Sequence, residues 1–259
     1  MGRTNFYGRT LARCLTWMLA LSLLLSAATA ETERGNLEDR FADVIPQMEY
    51  NGETYYLRSR LSALMVTGVL PDEGDGLPRT DFVALFVIDD NQKRITPIYI
   101  DGQVIVDVDG DSLPLREVYA LGQNPAQNCE RMLAAVDGLL GGELVESYMA
   151  VDLEGITGIA EFSMLEGNTR ERLHLLRLAL QGIPSKQLNQ MYGAMSAYLT
   201  TDMKSGAVMR VIDKTDRYEI AETVDLPVLP AEGDGGTLQP DAARILDIVI
   251  DLFFDTEFI

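Results

Sequence analysis

The period of the apolar positions changes several times along the chain, and each period predicts an element. Residues 53–59 (ETYYLRS) alternate and predict a strand, and LSALMVTGVL (61–70) is an apolar run closed by Pro71. FVALFVI (82–88) is continuously apolar and rich in β-branched and aromatic residues, as in a strand covered on both faces. Asp89-Asp90-Asn91 predicts a turn, RITPIYI (94–100) the returning strand and QVIVDV (103–108) a further short strand. Between 126 and 140, Met132, Leu133, Val136, Leu139 and Leu140 recur at helical spacing until Gly141-Gly142 stops the helix. LVESYMAVD (144–152) predicts another strand, and 153–162 is compatible with a helix. Leu173, Leu176, Leu180 and Ile183 mark a helix, and Pro184 opens the next, with Leu188, Met191, Tyr192, Met195 and Leu199 on one face. TTDMKSGAVMRVIDKT (200–215) predicts a short capped helix, RYEIAETV (217–224) a strand and 227–240 a loop. Ile245, Ile248, Val249, Leu252 and Phe253 form the stripe of a last helix.

Helical patterns that interleave with buried strands, unbroken by a repeat or a linker, predict one α/β domain with a mixed sheet between helical layers. The beginning of the chain is different. Arg3, Arg9 and Arg13 precede an apolar run from Leu15 to Leu25, and Ala28-Thr29-Ala30 follows. This is the pattern of a secretory signal peptide over residues 1–30, cleaved after Ala30, with an uncleaved N-terminal anchor as the alternative. Either way the remainder is expected to be exported, with residues 31–52 a lead-in and 53–259 the domain.

Charge narrows the partners. Residues 1–30 hold three of the 21 basic residues and none of the 40 acidic ones, so the rest of the chain carries −22. Such a surface repels nucleic acid and gives no general attraction to anionic lipid. An anionic ligand needs a local cationic pocket. Cys14 leaves with the signal, so Cys129 has no intrachain partner and reads as a small buried residue.

No P-loop, G-x-S-x-G, H-E-x-x-H or C-x-x-C occurs, and the single histidine, His174, falls in a helical pattern. DVDGD (107–111) resembles the start of a calcium loop, but Ser112 and Val118 stand where that loop needs glycine and glutamate, so an acidic turn is the better reading. Arg79 and Asp81, two apart at a strand entrance, are expected to point the same way. An aspartate there can ligate Mg²⁺ and an adjacent arginine can fork onto phosphate oxygens; alone, the pair also reads as a surface ion pair. Arg170 and Arg172 open a helix, with Arg177 further along. Cations at a helix start oppose the helix dipole, which favours an anion-binding role for them.

These segments, in this order, resemble the LytR-CpsA-Psr family, the cell-envelope-related transcriptional attenuator domain. The family carries arginine-x-aspartate at the start of a strand and a returning strand ending in isoleucine-proline-arginine-aspartate. RTDFVALFVIDDNQKRITPIYIDGQVIVDV follows that layout. Residues 115–159 keep the downstream skeleton, with YMAVDLEG the best match to tyrosine-x-x-valine-aspartate-phenylalanine-x-glycine, and GNTRERLHLLRLALQGI looks like the family's arginine-x-arginine helix start. The resemblance spans about residues 55–255. It implies a three-layer α/β/α sandwich with a mixed central sheet. It also implies transfer of an anionic glycopolymer from a polyprenyl pyrophosphate carrier to peptidoglycan outside the membrane. Asp81 would be a Mg²⁺ ligand, with Arg79, Arg170 and Arg172 as pyrophosphate contacts and Arg79 and Asp81 as the catalytic pair.

The chain departs from the family at several of these places. The aspartate after the first core strand falls near Leu70, so one metal ligand is missing unless Asp72 substitutes, and YIDGQ lacks the signature arginine. The family's lysine and asparagine fall on Pro114 and Arg116, and the stretch between Phe162 and Gly167 is shorter than usual. Each lost cation or ligand costs on the order of a hundredfold in rate. Two readings follow: a glycopolymer transferase with weakened catalysis, or a non-catalytic protein that keeps the fold to bind a polyprenyl-linked precursor, a glycan or an envelope protein.

Overall fold

The computed structural model describes residues 47–71, 76–153, 186, 192–193, 196–215, 217–231 and 236–256. The expected signal peptide, most of the lead-in and the predicted helices over 154–185, with Arg170, Arg172, His174 and Arg177, lie outside the described residues. Among the described residues no helix is long and apolar enough to cross a membrane.

The chain enters through β1 (Gln47–Tyr50) and β2 (Glu53–Leu57), an antiparallel pair that the final strand β14 (Phe254–Asp255) extends. Residues 47–50, within the expected lead-in, form β1. Its alternation was too short to see, because β1 has only four residues. The continuous apolar runs become the long central strands β3 (Leu61–Pro71) and β4 (Pro78–Asp89), and β5 (Arg94–Ile100) returns beside them. Asp89 turns the β4–β5 connection by accepting from the backbone N–H of Asn91 (2.9 Å) and Gln92 (2.8 Å).

After β5 comes a hairpin of β6 (Ile105–Val108) and β7 (Asp111–Pro114), then the short helix α1 (Leu115–Val118) and α2 (Pro125–Leu140). Asn124 caps α2 by accepting from Gln127 N–H at 3.0 Å, and Gly141 ends it in the left-handed conformation at φ 81°. β8 (Ser147–Asp152) follows, then β9 (Leu199–Thr201), α3 (Ser205–Thr215), β10 (Glu219–Ile220) and β11 (Val224–Asp225). The strand expected over 217–224 is split in two, and Pro97 explains the split. β10 pairs with Arg94 and Ile95 of β5, β11 with Ile98 and Tyr99, and the residue without an N–H falls between them. The expected loop 227–240 contains a further pair, β12 (Val228–Pro230) and β13 (Leu238–Pro240), ahead of α4 (Ala242–Phe253). Leu199, expected on a helical face, instead begins β9, since at the sheet edge its backbone pairs with Val151.

Among the described residues the main sheet has seven strands, in the order β10-β5-β4-β3-β8-β9, with β11 also on β5. β3 and β8 run parallel, while β3–β4, β4–β5 and β8–β9 are antiparallel, so the sheet is mixed. Its strands are apolar on both faces because both are covered. Leu64, Val66, Ala84 and Phe86 face α3 with Ala207, Val208 and Val211. Met65, Val83, Leu85 and Ile98 face the other way, onto Leu115 and Val118 of α1, Met132 and Val136 of α2 and Val249 of α4. Each such leucine, valine, isoleucine, methionine or phenylalanine side chain contributes about 1.5–3 kcal/mol when buried. This is the expected arrangement of helical layers on a mixed central sheet.

The far end of the β4–β5 hairpin is pinned to α3 by charge. Lys214 Nζ donates to both Asp90 carboxylate oxygens (2.6 and 2.8 Å), and Tyr218 Oη donates to Asp90 Oδ1 at 3.0 Å.

Candidate functional site

Because β3, β5, β8 and β11 run in one direction and β4 in the other, one end of the sheet collects their carboxyl ends and the start of β4. It gathers Leu70, the segment Arg79-Thr80-Asp81, Asp101-Gly102, Asp152 and Asp225. Open α/β sheets bind ligands outside the carboxyl ends of their strands. The sequence-predicted pair Arg79 and Asp81 thus stands at the right end of the sheet for a site.

The backbone there is irregular. Gly68 pairs with Phe82 but Val69 pairs with Thr80, so Asp81 is an extra residue on β4, a β-bulge. Two buried contacts hold it. The Thr67 hydroxyl, fully buried, donates to the Phe82 carbonyl at 2.7 Å. Gly68 makes room for the Phe82 ring: a Cβ at that position would overlap the ring edge at Cε1 and lie 2.8 Å from Leu153 Cδ1. The bulge interrupts the alternation of β4 at Asp81, between Thr80 and Phe82. Thr80 pairs with Val69, which packs on the α1 and α2 side, so Thr80 faces that side, and Arg79, paired with Leu70, belongs to the opposite one. The side chain of Asp81, like Arg170 and Arg172, lies outside what the structure describes.

The end of β5 carries no cation of its own. Asp101 folds back to accept from Gln103 N–H at 2.9 Å, and the chain leaves into the β6–β7 hairpin. That hairpin returns Arg116 to the same place. Arg116 N–H donates to the Gly102 carbonyl at 2.9 Å, and Leu115 N–H to the Val104 carbonyl at 2.8 Å, docking α1 against the exit of β5. Sequence reasoning found Arg116 only as a departure from the family pattern. Its partner Gly102 lies across a hairpin, and no local period links the two.

Two buried polar atoms near this end have no hydrogen-bond partner among the described residues: Thr80 Oγ1 and Arg116 Nε. The Arg116 guanidinium makes one long contact, 4.0 Å, to Glu117 next to it. Among the described residues, no group of three or more carboxylate, thiol or imidazole side chains converges on a point that suits a metal.

The other candidates resolve into structure. DVDGD is the β6–β7 turn, with Asp109 at φ 56° and Gly110 at φ 95°, and Asp109 Oδ2 accepts from Arg131 Nη1 at 2.6 Å. A cleft of about 590 Å³ lies between this turn and α2, lined by Asp107, Asp109, Gln127, Glu130 and Arg131 among others, and by none of the sheet-end residues. Cys129 is buried, and burial pushes its thiol up to about 12, the opposite of an activated nucleophile.

Sheet order and layers together define an α/β protein with a mixed central sheet, and its candidate site lies at the carboxyl ends of the strands. No protein-family model matches the chain, and no curated protein matches it in sequence. Among solved structures it is similar to TagV of B. subtilis, at 11% identity and TM-score 0.57, covering 75% of this chain and 98% of that one. It is also similar to a transcriptional regulator of Enterococcus faecalis, at 14% identity and TM-score 0.56, covering 74% and 87%. TagT bound to LIIa-WTA matches at 9% identity and TM-score 0.51, covering 75% and 90%. The chain therefore has the LytR-CpsA-Psr-like fold that its sequence pattern implied.

Proposed function

We propose that this is an exported cell-envelope protein that engages polyprenyl-pyrophosphate-linked anionic glycopolymers during their attachment to peptidoglycan, with weakened catalysis. The carrying observation is the Arg79-Thr80-Asp81 segment, held by a bulge at the carboxyl end of a sheet whose fold is shared with TagT, which has been captured with LIIa-WTA and LI-WTA. Phosphoryl transfer asks the protein mainly to place positive charge around phosphorus. Arg79 and, beyond the described residues, Arg170 and Arg172 are assigned that role. Asp81 is assigned to hold Mg²⁺, an ion that characteristically takes one or two carboxylates and completes its shell with water and substrate phosphates. Export rests on the signal pattern of residues 1–30, and the charge of −22 carried by the rest argues against a nucleic-acid partner.

One observation favours the second reading, binding without turnover: Asp101 and Gly102 stand where the family carries its second arginine. An assay of polymer transfer from a polyprenyl-linked donor to peptidoglycan separates the two. Mg²⁺-dependent transfer abolished by Asp81→Ala supports turnover, and transfer unchanged in that variant refutes it. Precursor binding with no transfer assigns the binding role.

A further inference from the structure

We infer that Arg116 and Thr80 form a phosphate-oxygen subsite beside Gly102, supplying the cation that the end of β5 lacks. The inference rests on the sheet end being a phosphate site. Thr80 is 7% exposed and its hydroxyl has no partner among the described residues, an unfavourable arrangement unless something outside the chain satisfies it. The β3–β4 register turns it toward the face that α1 covers, and α1 is where Arg116 sits. The Nε–H of Arg116 is likewise buried and unpartnered, while the side chain as a whole stays 40% exposed, so solute reaches the guanidinium.

The backbone geometry is built for this approach. A Cβ on Gly102 would lie 3.1 Å from Arg116 Cβ, so a side chain at 102 would push α1 away. A donor hydroxyl and a guanidinium N–H, both without acceptors, call for an acceptor-rich anion, and a phosphoryl group offers several oxygens. Arg79 belongs to the opposite face of the same strand end. Two cations flanking one strand end suit a diphosphate better than a single phosphate. Asp101 and Glu117 border the subsite, so binding is expected to strengthen with a divalent cation and weaken with salt.

The test is titration of the full chain with inorganic pyrophosphate in the presence of Mg²⁺, with thermal melts of each variant as a folding control. Arg116→Ala is expected to weaken binding about ten- to a hundredfold, the loss of one charge-assisted donor group. Arg116→Lys should fall between, because it keeps the charge and loses the fork. Thr80→Val should weaken binding severalfold while leaving the melting temperature unchanged or raised, since it removes a buried hydroxyl that has no partner among the described residues. Binding that weakens in Arg79→Ala but is unchanged in Arg116→Ala and Thr80→Val overturns this inference and leaves the site itself standing. No pyrophosphate binding by the unaltered protein overturns the site and the inference together.

Discussion

Replacing Gly68 by alanine places a methyl group where the edge of the Phe82 ring already lies. Gly68 has ordinary strand backbone, so the whole effect is steric: the new Cβ overlaps Phe82 Cε1 and stands 2.8 Å from Leu153 Cδ1. Phe82 is 5% exposed and wedged in the α3-side core, so it has little room to retreat. Overpacking of this kind costs about 1–3 kcal/mol. The reduced entropy of the unfolded chain returns about 0.4–1 kcal/mol of it. The net loss, about 1–2 kcal/mol, corresponds to a fall in melting temperature of about 2–8 °C for a domain of this size. Calorimetric melting measures it. Phe82→Leu in the same chain removes the ring edge and should recover part of the loss, with a coupling of about 1 kcal/mol in a double-mutant cycle. Because Phe82 adjoins the bulge at Asp81, Gly68→Ala should also weaken pyrophosphate binding. A variant as stable as the original, or additive effects of the two substitutions, would refute the claim that Gly68 exists to seat Phe82 and fix the bulge.

Thr67→Val leaves the Phe82 carbonyl without its buried donor and should cost about 1–3 kcal/mol in urea unfolding; a cost below about 0.5 kcal/mol would mean the hydroxyl does not hold the bulge. Lys214→Met leaves Asp90 with Tyr218 alone and should destabilise by about 2–4 kcal/mol by the same measurement, whereas a neutral result would make the Lys214–Asp90 pair decorative. Burial raises the pKa of the Asp137 carboxyl, even though it accepts from Leu144 and Val145 N–H. Its favourable contribution is therefore present below its unfolded pKa and is lost as pH rises through the raised folded value. Asp137→Asn, which keeps an acceptor oxygen, should stabilise the protein at pH 7, and the advantage should vanish as the medium is acidified; a variant less stable at pH 7 contradicts this. In a Cys14→Ser background, Cys129 should resist thiol reagents at pH 8 until the protein unfolds, and rapid native reaction would place it outside the core.

The long strands were legible because burial on both faces leaves a continuous apolar signature, as in FVALFVI, and α2 because its stripe runs 16 residues between an asparagine cap and Gly141. Short or irregular pieces were not. β1 has too few residues for a period, β10 and β11 are parted by a proline on another strand, and the bulge at Asp81 depends on Thr67 and Gly68 far away in sequence. The position of Arg79 and Asp81 at the sheet end followed from their place at the mouth of β4. Arg116 did not, because the contact that brings it there is a backbone hydrogen bond across the β6–β7 hairpin. Pattern reading captures what neighbours in sequence do together, and the candidate site is assembled from parts that meet only in the folded sheet.

The central claim, that the sheet end holds a diphosphate with the help of Asp81, is tested most directly by calorimetric titration with a short polyprenyl pyrophosphate, with and without Mg²⁺. Binding that strengthens with Mg²⁺ and weakens in Asp81→Ala is the predicted result. Absence of binding under both conditions, or binding indifferent to both Mg²⁺ and Asp81, would contradict it.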